Sequence, residues 1–214
     1  MVGQFGMGHS TSHVEPAGSA QRILEAGIEL LARDGEAGLR VIEVADRAGV
    51  SVGTIYTHFD SRDGLIEDVY LEQYRRLIGE YLMPLHRVVG ADCTREDILR
   101  SLEEATALGS TSLRAANSVF RAETLGASRR RPNLAQAIQR ENQGIAQLEI
   151  AAAREAQDAG LLDANLDVEA LVGFIQGLLF GLALLDVDDS EQPSPERWRE
   201  MLRTFFDAAF IPPT

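Results

Sequence analysis

The stretch Val41 to Phe59, VIEVADRAGVSVGTIYTHF, leaves this chain few folds to choose from. Val41, Val44, Ala45 and Ala48 recur at helical spacing as an apolar stripe, and Gly49 follows where a left-handed residue ends a helix. Val50 is apolar enough to plug the corner. Ser51 can cap a second helix by accepting a backbone N–H, and Ile55 and Phe59, four apart, share its inward face. Val52, Gly53, Thr54, Tyr56, Thr57 and His58 are left on or beside the outer face, with no acidic group between Ser51 and Phe59. Two short helices held crosswise by a glycine turn make the helix-turn-helix arrangement, whose second helix fits the major groove of DNA. Plain helical packing uses the same outline, so the particular residues have to carry the distinction.

Ala45 lies where the two helices approach most closely, and Gly49, Val50 and Ile55 follow it at offsets of four, five and ten. Ala45, Ala48, Gly49, Val50, Ser51, Gly53, Thr54, Tyr56, His58 and Phe59 spell A-x-x-A-G-V-S-x-G-T-x-Y-x-H-F. In this the stretch resembles the DNA-binding head of the TetR family of bacterial transcriptional repressors. The resemblance is strongest from Ile23 to Leu65; beyond that it rests on helix count and order. It implies an all-α chain of about nine helices, with a three-helix head, a helical ligand-binding body and a dimer formed by the last two helices. Such a protein is a repressor that binds double-stranded DNA at a palindromic operator and is released by a small-molecule inducer. The family's DNA-contacting positions fall on Ser51, Val52, Gly53, Thr54, Tyr56, Thr57 and His58, with Arg62 standing where lysine is usual. The hydroxyls of Thr54 and Tyr56, with His58, suit phosphate oxygens. Val52 and Thr57 suit base edges, because an apolar or methyl-bearing side chain can meet a thymine methyl. Arg40 departs from the family pattern, which has a hydroxyl residue there; it either binds a phosphate or covers Glu43.

Charge opposes this reading. The net charge is -13, and in the head Arg22, Arg33, Arg40, Arg47 and Arg62 are outnumbered by acids. Phosphate neutralisation by Lys and Arg normally supplies most of the affinity for DNA. The head therefore binds only if its acids face away and Arg40, Arg47 and Arg62 lie near the duplex, with weak long-range attraction and strong salt sensitivity. The competing possibility is a helical ligand-binding or adaptor protein whose head has weak or lost DNA affinity.

At 214 residues, with 45% hydrophobic and 6% aromatic residues, the chain can bury a substantial core, and abundant Ala and Leu favour helices. Residues 1–15 read as a flexible tail, 16–64 as the head and 65–214 as the ligand-binding and dimerisation body. His9 and His13 stand four apart without neighbouring ligands, so no metal site and no cofactor are expected. The lone Cys93 cannot form an internal disulfide, and no apolar run is long enough to cross a bilayer; a cytoplasmic location without membrane contact follows as an expectation. Phosphate-binding loops, H-E-x-x-H, C-x-x-C and G-x-S-x-G patterns are missing, which argues against an enzyme.

Further signals order the remaining chain. A first helix ends at Asp34-Gly35, with Ile23, Gly27, Leu30 and Leu31 on one face, and Leu39 plugs the core behind it. Asp60 or Ser61 caps a long fourth helix running towards Val89, kinked or ended near Pro84. Thr94 and Asp97 form a capping box for a fifth, and a sixth spans Thr111 to Leu125. A seventh runs from Leu134 to Ala159 with Leu134, Ile138, Ile145 and Leu148 inward. Asp167 caps the eighth, in which Gly173, Gly177 and Gly181 share a face at a propensity cost of about 1 kcal/mol each relative to alanine. Ser194-Pro195 starts the last helix, with Trp198, Met201, Leu202, Phe205 and Phe206 on its apolar side. Gly173, Gly177, Gly181 and Leu178, with Trp198 and Phe205, are the expected homodimer contact. Tyr81, His86, Phe120 and Phe174 are the expected lining of a pocket for a hydrophobic or aromatic ligand.

Overall fold

The structure is a computed structural model describing residues 18–86, 93–107, 111–185 and 194–207, with side chains left undescribed at 80–86, 102–107, 111–119, 179–180, 182–185, 195 and 198–199. Among the described residues the chain is all α. It runs through α1 (Ser19–Asp34), a 3-10 turn (Glu36–Gly38), α2 (Val41–Ala48), α3 (Val52–Phe59) and α4 (Arg62–His86). Then follow α5 (Arg95–Ala107), α6 (Thr111–Ser128), α7 (Pro132–Asp158), α8 (Val168–Leu185) and α9 (Pro195–Asp207). The helices gather into two compact units, one up to Val69 and one from Tyr70 onward.

In the first unit, α1 lies against both α2 and α3. Ile23, Leu39, Val44, Ile55, Leu65, Ile66 and Val69 are fully buried there. Gly49 ends α2 in the left-handed conformation (φ 65, ψ 42), and the Val50 N–H donates to the Ala45 carbonyl at 3.0 Å, so the chain reverses tightly enough to start α3 two residues later. Ser51 Oγ accepts the Thr54 N–H at 3.1 Å, the cap read from the sequence. Two glycines allow close approach: a Cβ at Gly27 would run into the Val69 side chain, and one at Gly64 would run into the Phe59 carbonyl. Ser61 caps α4 by accepting the Gly64 N–H at 2.9 Å, which completes the compact turn after α3.

The second unit is built on a cluster of Leu99, Leu162, Leu202 and Phe206, against which Leu171, Ile175 and Leu178 pack. Thr94 and Asp97 exchange the two hydrogen bonds of a capping box at the start of α5, at 3.1 and 3.2 Å. The Thr94 hydroxyl and N–H bonds hold the Asp97 carboxyl below its ordinary value. Ion pairs Arg95–Asp207 (2.6 Å) and Arg203–Glu96 (3.0 Å) join the start of α5 to the end of α9. Asp167 Oδ1 caps α8 by accepting the Ala170 N–H at 3.0 Å.

Several elements differ from the sequence reading. Helix α6 continues to Ser128, and α7 starts at Pro132, since a proline at the first helical position removes only an N–H that would have no partner there. Leu148 does not face inward: it is 61% exposed, the contact with α8 at this level being made by the next residue, Glu149, which accepts from Gln176 at 2.7 Å, and only Leu134 and Ile138 are buried along α7. The apolar side expected on α9 divides in two, with Leu202 and Phe206 buried while Met201 and Phe205 face outward. Residues 87–92, where the fourth helix was expected to reach Val89, lie outside the described residues, as do His9 and His13.

Candidate nucleic-acid interface

Helix α3 buries Ile55 and Phe59 and turns its other residues outward. Val52 is 37% exposed and Tyr56 46%, and Gly53, Thr57 and His58 are exposed beside them. Thr54 is half-buried, and its hydroxyl lies 2.9 Å from Ser51 Oγ. The Thr57 hydroxyl donates back to the Gly53 carbonyl at 2.9 Å, which occupies its polar atom and leaves its methyl as the outward chemistry. Among the described residues the Tyr56 hydroxyl has no partner, so it is available to an external acceptor. His58 Nε2 lies 2.7 Å from Ser19 Oγ at the first residue of α1, a contact between residues 39 apart that no local signal announces.

The arginines tell the charge balance. Arg22 Nε donates to the Ala48 carbonyl at 3.2 Å, bracing α1 against the end of α2. Arg33 pairs with Asp34 at 2.6 Å and is held above its ordinary pKa by that bond. Arg40 pairs with Glu43 at 3.3 Å, the covering role of the two left open by the sequence. Arg47 pairs with Glu29. Arg62, exposed at the start of α4, is the one head arginine with no internal hydrogen bond or ion pair among the described residues. Two of the three arginines expected to meet DNA are thus engaged with acids of the head.

In the second unit the glycines of α8 have open space around them. A Cβ at Gly173, Gly177 or Gly181 would meet nothing within 4 Å. Beside them Phe174 (48% exposed) stacks on Phe205 (43% exposed), with ring centroids 5.0 Å apart and Met201 exposed nearby on α9. Phe174 therefore belongs with the outer α8–α9 surface rather than with the pocket lining expected for it. Leu178 packs against this chain's own core cluster, a quarter-turn or so of helix away from Gly177. Phe120 stacks on Tyr70 with centroids 5.9 Å apart. The side chains of Tyr81, His86 and Trp198 lie outside the described residues.

An open groove of about 360 Å³ runs along α6 and α7, bordered by Leu125, Ser128, Ile138, Asn142, Gln143 and Ala146; among its described lining residues neither Phe120 nor Phe174 occurs. At its edge the Tyr74 hydroxyl, whose pKa burial pushes up, donates to Asn142 Oδ1 at 2.7 Å; neither residue carries a signal in the sequence. Burial likewise pushes the Cys93 thiol up, away from a reactive thiolate. Among the described residues no helix is long and apolar enough to cross a membrane, and no cluster of potential metal ligands occurs.

A helix-turn-helix whose second helix turns its outer face to solvent, on a chain that is all α among the described residues, is the arrangement of DNA-binding heads of transcriptional regulators. The profile of bacterial regulatory proteins of the tetR family matches residues 23–69, the compact first unit. The transcriptional regulator UidR of Escherichia coli is 23% identical over 169 residues, spanning 78% of this chain and 82% of UidR. GusR of Salmonella enterica is 22% identical with a TM-score of 0.65, covering 92% of this chain and 98% of GusR. A transcriptional regulator from Saccharomonospora viridis in complex with choline is 20% identical with a TM-score of 0.66, covering 90% and 97% of the two chains. Residues 23–69 thus carry a TetR-type DNA-binding head, and the chain as a whole is similar to transcriptional regulators of that kind.

Proposed function

We propose that this regulator is a repressor that binds a palindromic operator as a homodimer and is released by a small hydrophobic or aromatic ligand. The observation that carries the DNA contact is the outer face of α3, where the unpartnered Tyr56 hydroxyl and the methyl-presenting Thr57 stand beside Val52 in a head whose spare arginine is Arg62. Tyr56, Thr54, His58 and Arg62 hold the backbone, Ser51 and Gly53 let the start of α3 approach it, and Val52 and Thr57 read base edges. The open glycine face of α8 and the exposed Phe174–Phe205 stack support dimerisation, since a second copy gives that apolar surface a cover. The choline complex of the Saccharomonospora viridis regulator supports a small-molecule site in a body of this fold. By linkage, ligand and operator weaken each other's binding by the same factor.

Selection of binding sites from a random DNA pool tests this reading. The wild-type chain should return a two-fold symmetric motif, and Val52→Arg should change it at matching positions of both halves, by about 1–3 kcal/mol per altered contact. An unchanged motif would remove Val52 from the base-reading set. The pairing of Arg40 with Glu43 and of Arg47 with Glu29 favours the second reading, a ligand-binding protein with weak DNA affinity, and that reading gains if the pool yields no motif at low salt.

A further inference from the structure

Ser19 opens α1, and its hydroxyl oxygen lies 2.7 Å from His58 Nε2 on the far part of α3. Both belong to the compact first unit, and the bond joins the start of one helix to the exposed side of another. His58 is exposed and its imidazole carries one proton when neutral, so which ring nitrogen holds that proton depends on what Ser19 does. If the Ser19 hydroxyl donates to Nε2, the ring proton sits on Nδ1 and can be given outward. If Nε2–H donates to Ser19 Oγ, the serine hydroxyl keeps its own proton and can give that outward. Either arrangement fixes the ring and leaves one donor for an external acceptor.

We propose that Ser19 is a positioning residue for DNA binding: its hydroxyl donates to His58 Nε2 and holds the ring so that the Nδ1–H gives one neutral hydrogen bond to a backbone phosphate. This rests on the reading that the outer face of α3 meets DNA. The head makes such a donor valuable, because Arg40 and Arg47 are engaged with Glu43 and Glu29 and the net charge of the chain is -13. A neutral donor strengthens binding without releasing a counterion. Its contribution is therefore carried in affinity at every salt concentration and not in the salt slope. Arg62, by contrast, acts through charge.

The two roles separate in a salt titration of the full chain, at mildly alkaline pH, on a duplex selected from a random pool by the wild-type protein. Ser19→Ala should weaken binding about three- to tenfold per head, the loss of one hydrogen bond, with the slope of log K against log salt unchanged. Arg62→Gln should lower that slope by about 1 per head. Ser19→Thr, which keeps the hydroxyl, should restore affinity. In a His58→Ala background, Ser19→Ala should have no further effect, whereas a purely structural serine would cost the same factor there. Ser19→Ala binding like wild type, or losing the same factor with His58 already removed, would overturn the positioning role and leave the DNA-binding reading standing. A wild-type chain that selects no duplex would overturn the DNA-binding reading itself, and the role of Ser19 with it.

Discussion

The head and the α8–α9 surface treat apolar side chains in opposite ways. In the head, Ile23, Leu39, Val44, Ile55, Leu65, Ile66 and Val69 are fully buried, and α3 turns mainly polar groups outward. On α8 and α9, Phe174, Phe205 and Met201 stand half-exposed beside glycines with open space around them. The head still exposes Ile42, Val52 and Tyr56, the last two on the reading face of α3, but among its described residues no aromatic stack stands open. A surface that leaves stacked aromatics uncovered is where the proposed dimer would close. The glycines sharpen the contrast: Gly27 and Gly64 are crowded by their own chain, whereas a Cβ at Gly173 or Gly177 would meet nothing within 4 Å among the described residues.

The largest effect that could break this comparison is the loss of dimerisation. A Cβ added at Gly177 meets nothing within 4 Å among the described residues, and replacing a mid-helix glycine by leucine stabilises the helix by roughly 1 kcal/mol. Sedimentation should therefore report a monomer whose melting temperature is unchanged or raised; a variant that remains dimeric would move the contact off this face. Gly64→Ala tests the opposite kind of glycine. Its methyl would strike the Phe59 carbonyl, a backbone atom that cannot swing aside, so the head should lose about 1–3 kcal/mol of stability in chemical denaturation. An undiminished midpoint would show that the turn after α3 can relax.

A smaller effect of about 1 kcal/mol is expected for Ser51→Ala, which removes the acceptor for the Thr54 N–H at the start of α3. Amide exchange in α3 should quicken while α7 is unaffected. Smallest is the acid response of the body. The Thr94 bonds lower the folded pKa of Asp97 from its ordinary 3.8, so the capping box stabilises α5 fully above that value and is lost as pH falls through the folded one. Asp97→Asn should flatten that part of the acid unfolding curve; an identical curve would assign the acid response to other carboxylates.

The head was legible because its determinants are local. A left-handed Gly49, a capping Ser51 and the four-residue spacing of Ile55 and Phe59 each act within one helical turn, and the structure places all three as read. The caps at Thr94, Asp167 and Ser194 were legible for the same reason. Contacts between distant residues were not. Helical periodicity assigns Leu148 to the face of Ile145 but says nothing about whether a neighbour covers that far end of α7. The Arg47–Glu29 pair and the Ser19–His58 bond join residues 18 and 39 apart, separations at which spacing carries no information. Phe174 shows the limit within one helix: an aromatic on an apolar helix suits a pocket or a surface equally, and only its stack on Phe205 separates them.

The internal pairing of Arg40 and Arg47 bears on how such a protein finds its target in a genome. Attraction to random duplex comes from cations facing phosphates, and it is what parks a regulator on the vast excess of irrelevant sites and lets it slide between them. On the proposed reading, a head whose one arginine without an internal partner among the described residues is Arg62 would linger less on random sequence, and would search more by repeated three-dimensional encounters than by long scans along the duplex.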